Sequence, residues 1–149
     1  MTSLAIAIRT LPNGADLELP AYASAGAAGM DLHAAVKDTL TLVAGGRALV
    51  ATGIAIALPE GYEGQIRPRS GLALRGGISV LNAPGTIDSD FRGEIEVILM
   101  NHGRGSYDII RGQRIAQLVI APVTRAEWQR VTDLPTTARG GGGFGSTGA

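Results

Sequence analysis

The sequence predicts an all-β sandwich or barrel with one short helix. Short runs of alternating apolar residues recur along the 149 residues, Gly- and Pro-containing turns separate them, and no long segment keeps a helical period. Many short strands at such spacing are typical of sandwiches and barrels. We interpret seven alternating runs as strands: Leu4–Arg9, Thr39–Val43, Ala48–Leu58, Gly64–Pro68, Glu94–Met100, Tyr107–Ile110 and Arg114–Val123. The best helix candidate is Ser70–Arg75, just before Gly76 and Gly77.

The composition fits one domain of ordinary size. Hydrophobic residues make up 45% of the chain but aromatic residues only 4%, so aliphatic side chains must fill the core. The net charge of zero argues against nucleic acid polymers and anionic membranes as partners. The absence of cysteine excludes disulfides, thiolate metal sites and cysteine nucleophiles. The first ten residues do not resemble a signal peptide and no apolar run is long enough to span a bilayer, so we expect a cytoplasmic protein.

Two of the predicted strands are apolar on both faces. Ala48–Leu58 and Ile115–Val123 consist mostly of Ala, Val, Ile and Leu. A strand directs successive side chains to opposite faces, so one face of each strand needs a cover beyond the core. We therefore expect additional burial through oligomerisation.

The C-terminal segment, residues 136–149, differs in kind from the predicted β domain of residues 1–135. Its four consecutive glycines cannot hold one conformation alone, so we expect a mobile tail. A Gly-rich strip with a guanidinium and hydroxyl groups can wrap a polyphosphate, and an aromatic ring there can stack on a base. A flexible end without a role is the alternative, and the lysine of a Walker A loop is absent. The side chains in question are those of Arg139, Phe144, Ser146 and Thr147.

An arginine and a serine follow the strand that ends at Pro68. The guanidinium of Arg69, the hydroxyl of Ser70 and the free N–H groups near Gly71 would together bind an anion. A plain serine cap at the start of the helix is the alternative interpretation.

Polar side chains crowd the turn-rich stretch Asn82–Glu94. Asp88 follows the apolar Ile87, so we expect its carboxylate to lie partly desolvated in a pocket, where it could act as a general base towards water. The alternative is an ordinary polar hairpin in which Asp and Asn side chains form their own turns.

Two further segments carry candidate polar residues. Small residues precede a strand that contains Asp31, whose carboxylate could help to hold a hydrated metal ion or could simply cap a turn. No second His or Glu stands at metal-ligand spacing from His33. Arg114 and Gln117 are three residues apart, so in a regular strand they face opposite sides and would need a bulge to reach one ligand. We therefore expect Gln117 to face phosphate and Arg114 to support packing or an interface.

Taken in chain order, these five segments resemble the five motifs of the trimeric dUTPase family. The resemblance runs from about Ser24 to Gly148 and rests above all on Pro-Arg-Ser-Gly-Leu-Ala, Ile-Asp-Ser-Asp and Arg-Gly-Gly-Gly-Gly-Phe-Gly-Ser-Thr-Gly. It implies a jelly-roll-like β-fold and a homotrimer with three active sites, each shared between subunits. It also implies the hydrolysis of dUTP to dUMP and pyrophosphate with Mg²⁺, which supplies the dTTP precursor and keeps uracil out of DNA.

The resemblance implies roles for individual residues. Asp88 resembles the base that activates water, and Asp31 would hold the waters of the metal ion rather than ligate it. The residues implied to bind phosphate are Arg69, Ser70, Gly71, Gln117, Arg139, Ser146 and Thr147. Those implied to bind the nucleoside are Asn82, Gly85, Thr86, Ile87, Phe91 and Phe144.

Three residues depart from the usual pattern of the family. Phe91 stands where Tyr is frequent, and its ring should still pack on deoxyribose and exclude a 2′-hydroxyl. Gln113 stands where an acid is frequent, which would leave a nearby basic partner without its ion pair. Met30 replaces a common aromatic residue as a change in packing.

Other functions are compatible with such a fold. A dCTP deaminase is the nearest alternative, although the Ile-Asp-Ser-Asp and Pro-Arg-Ser-Gly-Leu-Ala segments favour hydrolysis of the phosphate. A nucleotide-sensing or scaffold protein without activity is a second alternative. A plain structural jelly-roll subunit is a third, and it would leave Asp88, Arg69 and the tail unexplained.

Overall fold

A computed structural model describes residues 4–146 and 148 and confirms a mostly β fold with one short α-helix. The helix α1 is Ser70–Gly76, close to its predicted bounds, and a single 3-10 turn spans Pro12–Gly14. The strands are β1 (Ala7–Thr10), β2 (Met30–His33), β3 (Leu40–Leu42), β4 (Arg47–Ala51), β5 (Ile54–Ala57), β6 (Tyr62–Arg67), β7 (Ile78–Val80), β8 (Gly85–Ile87), β9 (Glu96–Asn101), β10 (Tyr107–Ile109) and β11 (Arg114–Pro122).

The strands form four antiparallel sheets in a jelly-roll-like sandwich. The largest has the order β2-β11-β6-β8, a second has the order β4-β9-β7, and the pairs β1-β5 and β3-β10 complete the layers. Their inner faces meet in one cluster of buried aliphatic side chains. The largest fully buried apolar side chains are Leu32, Ile78, Ile95, Leu99, Ile109, Ile115, Val50 and Val97.

The prediction of one continuous strand over Ala48–Leu58 is wrong, because the chain breaks after β4 and changes sheet. Gly53 lies at φ +72°, a region that disfavours side chains, and its backbone packs directly on Gly14. The Oγ1 atom of Thr52 donates a hydrogen bond of 2.5 Å to the carbonyl of Ile95. The carboxylate of Glu94 accepts a hydrogen bond of 2.7 Å from the N–H of Gly53. These long-range contacts determine where the strand breaks. Of the two resulting strands, β5 is buried as predicted, whereas Leu49 on β4 is exposed.

Two short strands, β7 and β8, were not predicted from the sequence. Each has three residues and borders turn-forming residues, so no alternation marks it. They are strands because they pair with β9 and β6. Beyond β11, residues 123–146 contain no helix or strand, and the predicted boundary at residues 135 and 136 stays a prediction. Among the helices of the described residues, none is long and apolar enough to cross a membrane.

One arginine joins the N-terminal segment to the loop before β11. Arg111 forms an ion pair with Asp16 and donates hydrogen bonds to the carbonyls of Asn13 (2.8 Å) and Val36 (3.1 Å). The side-chain hydrogen bond from Arg111 lowers the pKa of Asp16. The guanidinium thus holds three separate segments together by polar contacts at the surface.

We expect Arg111→Ala to lower the melting temperature at neutral pH by about 2–4 °C, mainly because two backbone carbonyls lose their donor. Since the pKa of Asp16 is lowered in the folded state, its stabilising effect is present above the pKa of the unfolded chain and disappears as the pH falls through the folded pKa. Between pH 7 and pH 3 the difference in melting temperature between wild type and variant should therefore narrow but not vanish, because the two hydrogen bonds to carbonyl groups do not titrate. The control is Arg104→Ala, which removes an exposed arginine whose side chain forms no hydrogen bond or ion pair with the described residues. An equal loss in this variant would contradict the role of Arg111.

Candidate active site

The outward face of the largest sheet carries a row of polar side chains across three strands. Gln117 of β11 lies directly opposite Asp31 of β2 on one side and Arg67 of β6 on the other. Side chains that are directly opposite in an antiparallel sheet share one face. The structure therefore places two of the predicted site residues side by side and adds Arg67, which the sequence reasoning missed although it precedes Arg69 by two residues.

A β-bulge brings Arg114 to the same face as Gln117. The register of β11 against β2 shifts between Arg114 and Ala116, so that Arg114 lies opposite His33 and Gln117 opposite Asp31. Because His33 and Asp31 are two residues apart in one strand, their partners also face the same side. The expectation that Arg114 faces away from Gln117 is therefore wrong, because the strand contains the bulge that the sequence analysis named as the one exception.

Asp31 binds two arginines. The Nε atom of Arg69 donates to one carboxylate oxygen at 2.8 Å, and Nη1 of Arg114 donates to the other at 3.2 Å. The side chains of Asp31 and Arg69 are 19% and 24% exposed, so water screens this pair less than a surface ion pair. Two guanidinium groups around one carboxylate leave an excess positive charge, as an anion site requires.

Gln117 fixes the end of β6 just before the Arg-Ser-Gly segment. Its Nε2 atom donates a hydrogen bond of 2.9 Å to the carbonyl of Pro68, while Gly29 covers its other side. A Cβ atom at Gly29 would lie 3.2 Å from Cδ and 3.3 Å from Cβ of Gln117, closer still to the amide oxygen. The position of Gln117 thus depends on a glycine that the sequence reasoning grouped only with other small residues.

Ser70 does not cap the helix, so that alternative interpretation is wrong. The N-cap is Arg69, whose carbonyl accepts hydrogen bonds from the N–H groups of Leu72 (3.1 Å) and Ala73 (3.0 Å). Ser70 is the first residue of α1 and is exposed. Its hydroxyl is therefore accessible to a ligand beside Arg69 and Gly71.

A second group of predicted residues lies around β8. The amide of Asn82 lies over Gly85, where a Cβ atom would be 3.2 Å from Nδ2. β8, which contains Thr86 and Ile87, is an edge strand of its sheet. The backbone groups on its outer edge are therefore available to a ligand.

Asp88 follows β8 directly. It lines an open groove of about 850 Å³ together with Glu63, Asp90, Arg92 and Arg125. The expected desolvation is not found in the single chain, where Asp88 is exposed and makes no side-chain hydrogen bond or ion pair with the described residues. Close by, Phe91 is 40% exposed and its ring packs over the α-carbon of Gly93.

Asp88 lies away from Gln117 within one chain, although Ala83 and Pro84 line the same cavity as Gln117. Gln117 lies opposite Arg67, whereas Asp88 follows Ile87, which lies opposite Gly64. Asp88 is thus level with Glu63 of β6, four residues along the strand from Arg67, and β8 lies two strand spacings from β11. These offsets correspond to about 16 Å between the Cα atoms of Gln117 and Asp88. One chain therefore presents an arginine-rich group, Asp31–Arg69–Arg114–Gln117, that lies near Ala83 and Pro84 but at a distance from Asp88.

The described tail residues form hydrogen bonds within the tail. Arg139 donates from Nε to the carbonyl of Gly142 at 2.8 Å, and the N–H of Ser146 donates to the carbonyl of Gly143 at 3.0 Å. Phe144 is fully exposed at φ 48°. Thr147, which was also predicted to bind phosphate, lies outside the described residues.

The residues fit a metal ion only if a ligand supplies most of its oxygens. Within the described parts of the chain, no three His, Cys, Asp or Glu side chains are close enough to hold an ion. Both carboxylate oxygens of Asp31 already bind arginines. Mg²⁺ commonly keeps several waters and is bound through one or two carboxylates and the phosphates of a substrate, which fits Asp31 as a partner of metal-bound water.

Gln113 retains hydrogen-bond partners despite its missing charge. Its Oε1 atom accepts a hydrogen bond of 3.1 Å from the N–H of Ile110, and its Nε2 atom donates at 3.0 Å to the hydroxyl of Tyr107. The neutral amide of Gln113 therefore supplies both a hydrogen-bond acceptor and a donor to this turn. In the part of the chain that is described, Arg75, which lines the same cavity as Gln113, forms no ion pair within 4 Å.

The chain is similar to known dUTPases over nearly its whole length. A family model described as dUTPase matches residues 15–148. A deoxyuridine 5′-triphosphate nucleotidohydrolase of Methylocella silvestris is 62% identical over 98% of this chain and 92% of its own length. The corresponding protein of Rhizobium rhizogenes is 59% identical over 93% of this chain and 90% of its own length.

Solved structures show the same fold. A dUTPase of Staphylococcus bacteriophage 80alpha with dUpNHpp superposes with a TM-score of 0.86 and 27% identity over 99% of this chain and 100% of that one. A dUTPase of phage phi11 of S. aureus, whose structure concerns the coordination of a structural Mg(II) ion, superposes with a TM-score of 0.78 and 24% identity over 89% of this chain and 100% of that one.

We expect Gly29→Ala to displace the side chain of Gln117 and to lower the free energy of unfolding by about 1–2 kcal/mol, because the added methyl group overpacks the contact. The matched control is Gly26→Ala, where no atom lies within 4 Å of an added Cβ. Urea unfolding measures the stability, and the side-chain amide resonance of Gln117 reports the loss of the hydrogen bond to Pro68. An unchanged Gln117 resonance in Gly29→Ala would contradict the expectation.

Proposed function

Since this chain belongs to the dUTPase family and is a hydrolase of that family, we propose that it cleaves dUTP to dUMP and pyrophosphate through a water molecule activated by Asp88. The observation that carries the proposal is the contrast between two carboxylates. Asp31 has both oxygens bound to arginines, whereas Asp88 has no such contact among the described residues. One acid is thus suited to organise charge and the other to accept a proton.

The arginine-rich group is the proposed phosphate site. The planar guanidinium of Arg69 matches phosphate oxygens, the exposed hydroxyl of Ser70 and the N–H of Gly71 can donate to them, and Gln117 lies beside them. In the tail, Arg139, Ser146 and Thr147 are proposed to reach the same phosphates when the segment orders over the ligand, as mobile lids do in other enzymes.

The proposed reaction is an in-line displacement at the α-phosphorus. Asp88 accepts a proton from water as the water oxygen bonds to phosphorus, and the bond from phosphorus to the oxygen that bridges to the β-phosphate breaks. Pyrophosphate leaves with that oxygen. Asp31 would hold the waters of a Mg²⁺ ion bound to the triphosphate, and that ion would neutralise the charge of the phosphates.

The edge of β8 is the proposed uracil site. Its outer backbone groups can pair with the uracil edge, and the amide of Asn82 lies beside Gly85, where an added Cβ atom would be only 3.2 Å from Nδ2 of Asn82. A base with the wrong donor and acceptor pattern would leave a buried polar group unpaired, at a cost of about 1–3 kcal/mol. Thr86 and Ile87 complete this strand, Phe91 is proposed to pack on the deoxyribose and Phe144 to cover the base.

A homotrimer with shared sites is the proposed assembly. Gln117 and Asp88 are about 16 Å apart within one chain. This separation supports a site that takes the phosphate-binding residues from one copy and the proposed general base, Asp88, from another. Assembly would also give the exposed Asp88 its expected desolvation. The product dUMP is the precursor of dTTP, so the proposed activity would both supply dTTP synthesis and keep uracil out of DNA.

We expect Asp88→Asn to bind dUpNHpp almost as wild type does but to lose about 10²–10⁴-fold in kcat, because the amide cannot accept the proton from water. The matched control is Asp90→Asn, a second exposed carboxylate of the same groove. Calorimetry measures binding, and phosphate release in the presence of pyrophosphatase measures turnover with Mg²⁺ and dUTP. Near-normal turnover of Asp88→Asn would remove Asp88 from its proposed role.

Mixing two inactive variants tests the shared site. We expect Asp88→Asn and Arg69→Gln each to be nearly inactive, and an equimolar mixture that is unfolded and refolded together to regain about one quarter of wild-type activity. That fraction follows because each site draws the two residues from different copies of a symmetric oligomer, and each draw is intact half of the time. The same variants mixed without unfolding are the control. A refolded mixture without activity would mean that each chain builds its own site.

A further inference from the structure

The loop that carries Asp88 and Phe91 is held by Arg92. The Nη1 atom of Arg92 donates to the carbonyls of Ser89 at 2.6 Å and Phe91 at 2.8 Å, and the N–H of Phe91 donates to the carbonyl of Asp88 at 3.2 Å. We propose that Arg92 is a positioning residue that fixes the proposed base and the proposed sugar-contacting ring in one turn. This inference rests on the function proposed above.

The loop needs such a contact because it is anchored only at its ends. Its start leaves β8, which pairs with β6 as far as Ile87. At its end, Glu94 accepts hydrogen bonds from Asn13 and Gly53, and Ile95 donates to Ile54. Between these anchors, three hydrogen bonds lie within residues 88–93: the turn bond from the N–H of Phe91 to Asp88 and the two bonds from Arg92.

Arg92 directs its charge to carbonyl groups rather than to the neighbouring acids. It lines the same groove as Glu63, Asp88 and Asp90, but among the described residues it lies within 4 Å of no carboxylate oxygen. An arginine bound to Asp88 would occupy the lone pairs that must accept the proton from water. The two carbonyl contacts therefore keep the guanidinium close to the proposed base and leave the base free.

The turn couples two properties of the enzyme. Asp88 and Phe91 are its first and fourth residues, and the ring of Phe91 has little freedom because it packs over Gly93. A shift of the turn moves the carboxylate and the ring together. Loss of the Arg92 contacts should therefore weaken both proton acceptance and the exclusion of the 2′-hydroxyl of UTP, whereas a general loss of stability would not change the preference between the two substrates.

The test compares Arg92→Gln and Arg92→Lys with Arg125→Gln, which removes one charge from the same groove without touching the turn. For Arg92→Gln we expect kcat on dUTP to fall about 10–100-fold, as for a misplaced catalytic group. The ratio of kcat/KM for dUTP to that for UTP should fall about tenfold. The ammonium group of Arg92→Lys has three donors and should restore most of both properties. Arg125→Gln should match wild type.

A readout without turnover completes the test. Amide hydrogen exchange at residues 88–91 should become faster in Arg92→Gln than in Arg125→Gln, with equal melting temperatures. Unchanged exchange, or a lower kcat with an unchanged substrate ratio, would overturn the positioning role. A wild-type protein that leaves dUTP intact would instead overturn the proposed function, even if faster exchange showed that Arg92 holds the turn.

Discussion

The pairing of β11 with both β2 and β6 is the constraint on which the site depends. Ile115, Ala116 and Leu118 are buried in the core, so the strand cannot rotate or slip without exposing them. This fixes Gln117 on the outward face between its two neighbours. The bulge near Arg114 then places its positively charged side chain on the same face as Gln117, whereas strict alternation would have directed it to the opposite face. The polar site is thus held in place by apolar burial on the other side of the same strand.

Aromatic side chains are scarce in this chain, and glycines instead allow close contacts that fix the positions of strands and side chains. The backbones of Gly14 and Gly53 touch, which lets β5 leave the sheet of β4. Gly29 and Gly85 play the same part at the site, because each leaves room for one amide side chain, that of Gln117 and that of Asn82. Close approach of the backbone replaces the bulk that Phe or Trp would supply, and it makes the site sensitive to single methyl groups.

The sequence could predict the elements whose pattern is local. β9 alternates between buried and more exposed residues, as does most of β6, and the positions of β6, β9 and β11 were predicted within a few residues. The break at Thr52 and Gly53 lies inside an apolar run and depends on Gly14 and Glu94, which are far away in the sequence, so no local pattern marks it. β8 is a strand only because β6 lies beside it.

The sequence supplied candidate residues for the site, but it could not predict the contacts between them. The resemblance selected Asp31 and Asp88 as acids with different roles. The sequence could not show that Arg114 reaches Asp31, since this requires the bulge, or that Arg92 binds two carbonyls instead of an acid. Nor could it show that Asp88 is exposed in a single chain. A carboxylate in water has no special reactivity, so the proposed role of Asp88 as a base requires an environment that a single copy does not supply. On the proposed assembly, the symmetry contact that completes the phosphate site also removes water from Asp88, and folding, association and catalysis then depend on the same sheet.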